Sequence, residues 1–566
     1  MKKNRTVAYL FSGLATLIVG FLMYWFQLPP LNLRSPAFWT FAAELIIVAT
    51  VCFSGGFLVS KLKELRVTAD GHLELPHFNM RRPKELLRRP LGIAVVALAL
   101  IGVLLFSGGI IGAEVFHAGA YRDIITIEDG DFAEDIAQLS MDQIPVVDRD
   151  TASRLGQRQL GTIPDLVSQF EISEDYTQVN VSGKPMRVTP LVYADFFKWL
   201  GNRQEGIPGY ITVDMVTQDT ELIRMPEGQG IRYSESELFM RNIARHLCFS
   251  YPTKIFGNVL FEINDDGTPY WVAPCMYYRI GLWSGIDVRG AVLVNAVTGE
   301  SQYYDKADIP QWVDRVYDAN NIINQLNWNG KYQEGFLNAY FGQRNVRQAT
   351  DGYNYIANND DVYLYTGMTS ATADESNIGF VLVNMRTKET KFYTVPGAEE
   401  YSAMASAEGQ VQHLNYRATF PLLLNVADRP TYFMSLKDAS GLVKMYAFVD
   451  VERYQIVGTG DSVEKAQADY IDKLGSDDEV SIDDNRLEEI TGVIADIQSA
   501  VVEGSTSYYV RLVGDDRIFV ADISTSAQWP FAAVGDNVTF QFPALFVDQP
   551  VVTVSTVEFP TIVTTA

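Results

Sequence analysis

GAVLVNAVTGESQYY (residues 290–304) and GFVLVNMRTKETKFY (379–393) are identical at eight of fifteen positions: the leading glycine, the Val-Leu-Val-Asn run, the Thr and Glu of the turn, and the closing tyrosine. In each, an apolar run leads into a turn and resumes after it, as expected of two short strands joined by a hairpin. The likeness continues upstream, where VLFEINDDGTPYWV (259–272) corresponds to YNYIANNDDVYLYT (353–366), again two apolar runs about an Asn-Asp-Asp turn. A third, weaker copy has LLLNVADRPTYFMSL (422–436) as its first hairpin and GLVKMYAFVDVERYQIV (441–457) as its second. Each copy is therefore expected to form four short antiparallel strands, with turn residues where positive φ or local side-chain bonding is needed.

A helix is expected ahead of each copy. Ser234 opens SESELFMRNIARHL with Glu237 three residues on, the spacing of a capping box. Asp308 leads IPQWVDRVYDANNIINQL, GAEEYSAMASAEG follows Pro396, and a further helix starting from Asp461 runs through DSVEKAQADYIDKL after the third copy. One helix covering a four-stranded sheet is an α+β layer. A propeller needs more than three blades and no intervening helices.

The first 120 residues read differently. Val7–Phe26, Ala37–Ser60 and Leu91–Ala113 are apolar stretches long enough to cross roughly 30 Å of hydrocarbon. No small-residue cleavage site follows the first, so it reads as a span and not a signal peptide. Lys2, Lys3 and Arg5 precede the first span, and eight further Lys and Arg fill the 61–90 connection. The positive-inside rule then places the N-terminus in the cytoplasm and everything after the third span outside. Gly13, Gly55, Gly56, Gly108, Gly109 and Gly112 recur in Ser-Gly motifs, Gly108 and Gly112 forming GxxxG, and are expected to pack spans on one another or on a second subunit. Glu44, the one carboxylate inside a span, falls in the outer third of the second.

Residues 1–90 carry 12 Lys and Arg against 5 Asp and Glu, a net of +7; with −24 for the whole chain, −31 remains for the rest. Such acidity keeps an exposed region soluble and disfavours nucleic acid as a partner. With Cys52 inside a span, Cys248 and Cys275 permit at most one disulfide, so the fold must depend on its apolar core.

The VLVNAVTGESQYY hairpin resembles the closing strands of PepSY-like domains, in which a valine-rich strand, an Asp or Asn and a Thr-Gly-Glu turn recur. The resemblance covers about 15 residues of the first copy, weakens in the second, where Lys388 replaces the turn glycine, and is nearly lost in the third. It implies a non-catalytic extracytoplasmic module that binds or restrains another protein, often a peptidase, and it transfers no catalytic residues. After the acidic stretch GSDDEVSIDDN (475–485), five alternating runs with a break at AQWPFAAVGD resemble an OB-fold barrel, and VGDNVTF is the usual lead into one of its late strands. Only Arg511 and Arg517 stand among many acids there, so packing or protein contact is expected in place of nucleic-acid binding.

The chain thus divides into a three-helix membrane anchor (1–117), an α+β region (118–230) that is a candidate fourth copy without a convincing alignment, repeat units at 231–305, 306–394 and 395–474, an acidic linker (475–486) and an OB-like barrel of five strands (487–566). Chemistry is sparse. His72, His77, His117, His246 and His413 are scattered without zinc-site spacing, and GTGDS (458–462) reads as a turn and helix cap. NDDG (264–267), NNDD (358–361) and the linker could offer calcium ligands but sit where turns are expected, and the many Tyr and Trp read as core or cross-strand pairs before a glycan groove. No catalytic residue, cofactor or metal site is assigned. The expected role is a non-enzymatic envelope protein, bound to the lipid bilayer, that scaffolds, senses or regulates an envelope protein or a second copy of itself. The alternative is an envelope enzyme or glycan-binding factor whose site is assembled from distant residues.

Overall fold

The structure is a computed structural model and describes residues 2–62, 90–136, 144–358, 360–370, 376–475, 487–502, 505–543 and 551–559. The acidic linker (476–486), His72 and His77 lie outside the described residues. By backbone packing the chain forms two compact units, residues 1–135 with 142–399 and residues 136–141 with 400–566.

The first unit begins with three helices long and apolar enough to cross a membrane: α1 (Lys2–Gln27), α2 (Pro36–Leu62) and α3 (Pro90–Ile111). The α1–α2 contact is close. Ser12 Oγ donates to the Cys52 carbonyl at 2.9 Å, and a Cβ on Gly20 would stand 2.9 Å from the Leu45 side chain. Helix α4 (Glu114–Arg122) follows α3 directly.

Then comes a sheet in the region that gave no alignment. Helix α5 (Arg149–Gly161), capped by the Asp148 carboxylate, precedes β1 (Phe170–Ile172), β2 (Thr177–Val181), β3 (Lys184–Tyr193), β4 (Gly209–Asp214) and β5 (Thr220–Arg224). The order is β1-β3-β4-β5, with β2 also paired to β3, so the long β3 carries two short strands end to end along one side.

The same order recurs. Helix α6 (Ile243–Ser250) precedes β6 (Ile255–Phe256), β7 (Leu260–Ile263), β8 (Pro269–Ile280), β9 (Ser284–Asn295) and β10 (Ser301–Asp305), arranged β6-β8-β9-β10 with β7 on β8. Helix α7 (Ala319–Lys331) precedes β11 (Arg347–Ala349), β12 (Asn354–Asn358), β13 (Asp361–Ser370), β14 (Ser376–Asn384) and β15 (Thr390–Tyr393), arranged β11-β13-β14-β15 with β12 on β13. Two-residue strands at Glu128–Asp129 and Gly397–Ala398 extend this third sheet.

The second and third sheets contain the two hairpins expected of them, and all three sheets also have a short leading strand (β1, β6, β11) that the sequence pattern does not announce. Two or three residues give no periodicity to detect. Two helices start later than expected. The Ser234 hydroxyl accepts from the Glu237 amide at 3.2 Å, but α6 begins only at Ile243, where the Asn242 side chain accepts from Arg245 N. Likewise α7 is capped by Asp318 and not led from Asp308, because the Asp314 and Arg315 amides donate to Glu262 instead of entering a helix.

Nor does α7 cover a single sheet. Ile322 and Leu326 belong to one continuous core with Val272, Ala291 and Leu293 of the second sheet and Val362, Leu364, Val381 and Val383 of the third. The helix is packed between two sheets, which lets one apolar face serve both.

The second unit holds α8 (Glu400–Gln410), then β16 (Arg417–Ala418), β17 (Leu422–Val426), β18 (Arg429–Lys437), β19 (Val443–Asp450) and β20 (Val457–Gly460) in the order β16-β18-β19-β20 with β17 on β18. As expected, α9 (Val463–Gly475) follows, with the Ser462 hydroxyl accepting from Lys465 N. The final sheet contains β21 (Leu487–Val502), β22 (Ser505–Leu512), β23 (Ile518–Asp522), β24 (Asn537–Pro543), β25 (Val551–Thr553) and β26 (Thr556–Glu558). The long β21 pairs with β24 through its first half and β22 through its second, with a register shift between Ile494 and Asp496. A bulge bends a strand and lets it serve two directions. At the other end β25 runs parallel on β23 and β26 antiparallel on β24, which gives six strands, one more than expected, in the order β25-β23-β22-β21-β24-β26. Phe519, Trp529, Phe540 and Phe542 lie together in one buried apolar core.

Candidate functional site

One turn chemistry repeats at the end of the fourth strand. Asp214, Asn295 and Asn384 each accept two amides, those of residues 216 and 217, 297 and 298, and 386 and 387, at 2.8 to 3.0 Å. The hydroxyls of Thr217, Thr298 and Thr387 each accept from the amide two residues on at 3.2 Å. Between the two lies a left-handed residue, Gln218 (φ 66°), Gly299 (φ 77°) or Lys388 (φ 63°). The segment VDMVTQDT (213–220) is therefore the counterpart of VNAVTGES (294–301) and VNMRTKET (383–390). Aspartate in place of asparagine, and glutamine in place of the glycine, hid it.

Lys388 shows what a side chain at that position can do. Its ammonium donates to Asp287 Oδ1 at 2.7 Å, to the Ile124 carbonyl at 3.1 Å and to Gln325 Oε1 at 3.3 Å. Both charged side chains are more than nine-tenths buried, and Arg279 approaches Asp287 from the other side at 3.4 Å. Burial pulls Lys388 below the ordinary lysine range, and Asp287 opposes that shift. The pair joins the third sheet to the second across α7.

A buried acidic pair lies where the first three sheets meet. Glu262, on β7, accepts from the amides of Asp314 and Arg315 at 3.0 and 3.1 Å, and Asp314 Oδ2 accepts from Asn180 N on β2 at 2.7 Å. The other oxygen of Asp314 is buried without a hydrogen-bond partner. Burial pushes Glu262 up to about 7, against the pull of those amides and of Arg315. Asp314 is raised well above the usual carboxylate range by burial and then by the Glu262 charge. Arg315 donates to Tyr355 OH at 2.8 Å and lies 4.4 Å over its ring, and the buried Arg187, brought down to about 10 by desolvation, reaches the Val147 carbonyl. Two carboxyl groups raised in this way hold a proton more tightly than free carboxyls do. Both are almost wholly enclosed, however, so the pair bonds to backbone and offers no route to a substrate.

Other candidates resolve into structure. Among the described residues no three His, Cys, Asp or Glu are grouped to hold a metal ion. Asn264 bonds the amides of its own turn, and Asp361 forms a two-pronged pair with Arg386 at 2.7 Å. His246 bonds the Gly299 carbonyl and packs on Tyr233, and burial lowers its pKa. Cys248 and Cys275 are free thiols, the latter pushed up to about 11 by burial. Glu237 bonds Tyr193 OH and Trp199 Nε1 at 2.9 and 2.8 Å.

The remaining concentration of contacts is where the apolar helices meet the second sheet. A Cβ on Gly108 would come within 2.2 Å of the Trp283 ring, and one on Gly112 within 2.3 Å of Ser284 Oγ. These two glycines therefore admit the β8–β9 turn. Gly13, Gly55 and Gly109 have nothing within 4 Å, and Gly56 is half-buried in α2. Tyr121 OH donates to the Gly112 carbonyl at 2.7 Å, and Trp328 Nε1 and Tyr332 OH both donate to Glu114. Beyond α1, Leu31 N donates to the Pro252 carbonyl at 2.6 Å, and Gln27 bonds Glu44 at 2.8 Å. Under this connection lies a cavity of about 510 Å³, lined by Leu28, Pro36, Leu247, Ile255 and Phe256. A cavity of about 590 Å³ beside α7 includes Asp123 and Glu334, which are engaged with Arg122 and Asn345. No protein-family model matches the chain, and no curated protein sequence matches it either.

Proposed function

We propose that this chain is a non-enzymatic, membrane-anchored scaffold whose three apolar helices span the bilayer, with the N-terminus cytoplasmic and the β-rich region outside, where it engages another envelope protein or a second copy of itself. The observation that carries this reading is the recurrence of one strand order in four sheets, with the buried ionisable groups spent on holding three of those sheets together. Tandem repetition of one layer builds extended surface, whereas a catalytic site needs reacting groups that converge where a substrate can reach them.

The outermost strands β5 and β10 each have one pairing neighbour among the described residues, which leaves an edge for strand addition by a partner. The turn shared by Asp214, Asn295 and Asn384 extends the PepSY-like hairpin to three sheets, in keeping with a module that restrains another protein. The pairing of β25 with β23 and of β26 with β24, by two strands that adjoin in the chain, supports reading the last region as an OB-like barrel. The test is crosslinking in intact cells followed by native mass determination in mild detergent. A defined partner or a multimer supports the scaffold; a lone monomer sends the search to a small ligand, a glycan or an enzymatic site.

A further inference from the structure

We propose that the β-rich part of the first unit rests on the lipid surface at the ends of α1 and α3, with two aromatic prongs sunk into the headgroup and acyl boundary. This rests on reading the three helices as spans. The first prong consists of Phe196, Phe197 and Leu200 on the short helix Phe196–Asn202, together with Phe239 and Met240. They surround Trp199, whose ring is 5.5 Å from Phe196 and 6.0 Å from Phe239. The second consists of Leu337, Tyr340 and Phe341. Phe197 is 76% exposed and Phe341 84%, values that leave nearly the whole ring in solvent.

Three observations point to lipid as the occupant. The first is continuity with the apolar helices. Arg245 lies 4.4 Å over the ring of Trp25, in the last turn of α1, and donates to the Phe239 carbonyl at 2.6 Å, so one side chain joins the end of a span to the first prong. The second prong is held at the end of α3, since Ala339 packs with Ala118 and Tyr121, and Lys331 connects Tyr340 OH at 2.9 Å with Glu114 at 3.6 Å. The second observation is charge. In a region of net −31, residues 196–203 and 238–245 hold Lys198, Arg203, Arg241 and Arg245 and no acidic residue, which suits phosphate headgroups. The third is composition: amphipathic rings concentrate at membrane interfaces, while exposed clusters of this kind are uncommon on surfaces that face only water.

The test uses the full chain in phospholipid nanodiscs, with Phe197→Cys and Phe341→Cys variants each labelled with an environment-sensitive nitrobenzoxadiazole dye; Cys248 and Cys275 are buried, and the wild-type chain controls for labelling of native thiols. Both dyes should be quenched about twofold or more by doxyl groups on the acyl chains and be shielded from aqueous iodide. Quenching by iodide alone at either position overturns the proposal. So does silence to both quenchers, which would mean that protein covers the prongs. Flotation with alkali-washed vesicles, run on the same variants, separates the two readings: failure to float rejects the spans themselves, while floating with iodide-accessible dyes rejects only the docking.

Discussion

At position 388 a lysine adopts a backbone conformation that costs an L-residue roughly 1 kcal/mol, in a turn whose counterpart on the second sheet is Gly299. The gain is the buried pair with Asp287, only partly shared by Arg279. Replacing Lys388 with Met keeps the length and removes the charge, leaving a buried carboxylate short of its main partner. A loss of about 3 kcal/mol is expected in urea denaturation of the detergent-solubilised chain. A change within about 0.5 kcal/mol would mean that the pair behaves like an exposed one. Asp314 permits a test of opposite sign. Because burial raises both Asp314 and Glu262, the folded chain retains protons that the unfolded chain has released. That contribution to stability is complete below the unfolded carboxyl values and is lost as pH rises through the folded ones, for Glu262 between about 4.5 and 7, at up to about 1.4 kcal/mol per pH unit. Asp314→Asn keeps an oxygen for Asn180 N and stays neutral, so the variant should hold its stability at pH 8 and show a flatter pH profile than the parent; an unchanged profile would place the titration elsewhere.

The same distinction between exposed and committed residues governs whole elements. Glycines in an apolar helix give one sequence signal whether they face lipid, another helix or a turn of the same chain. Only the surroundings separate Gly108, against Trp283, from Gly13, with nothing within 4 Å. Gly108→Leu should therefore loosen the seating of the second sheet on α3, seen as faster proteolysis of the β8–β9 turn in detergent. Gly13→Leu should leave that rate unchanged, and equal rates would remove Gly108 from the junction. The hairpins were legible because alternation and Asn-centred turns are local. The short leading strands were not, because Ile255–Phe256 or Arg417–Ala418 become strands only through the long neighbour they pair with. Helix starts were misplaced for a similar reason: Glu262, some fifty residues away in sequence, withdraws the Asp314 and Arg315 amides from the run that began at Asp308. The buried acidic pair was illegible altogether, since Glu262 sits in an ordinary strand and Asp314 in an ordinary loop until three sheets enclose them.

Over the whole molecule the chain divides into two compact units, the fourth sheet falling in the same unit as the last one, and Ile136 supplies a carbonyl to Asn425 at 2.8 Å within that unit. Each unit has its own apolar core, so each should respond separately to damage. Trp529 is 1% exposed, stacks on Tyr508 at 4.9 Å between centroids, and packs with Phe540 and Phe559. Trp529→Ala removes the largest side chain of that core and should cost the second unit about 3–5 kcal/mol. The expected result in scanning calorimetry is a lowered transition for the second unit beside an unmoved one for the first, whose core of Val272, Ile322, Leu326 and Leu364 is untouched. A single transition that shifts as a whole would instead mean that the two cores unfold as one cooperative body.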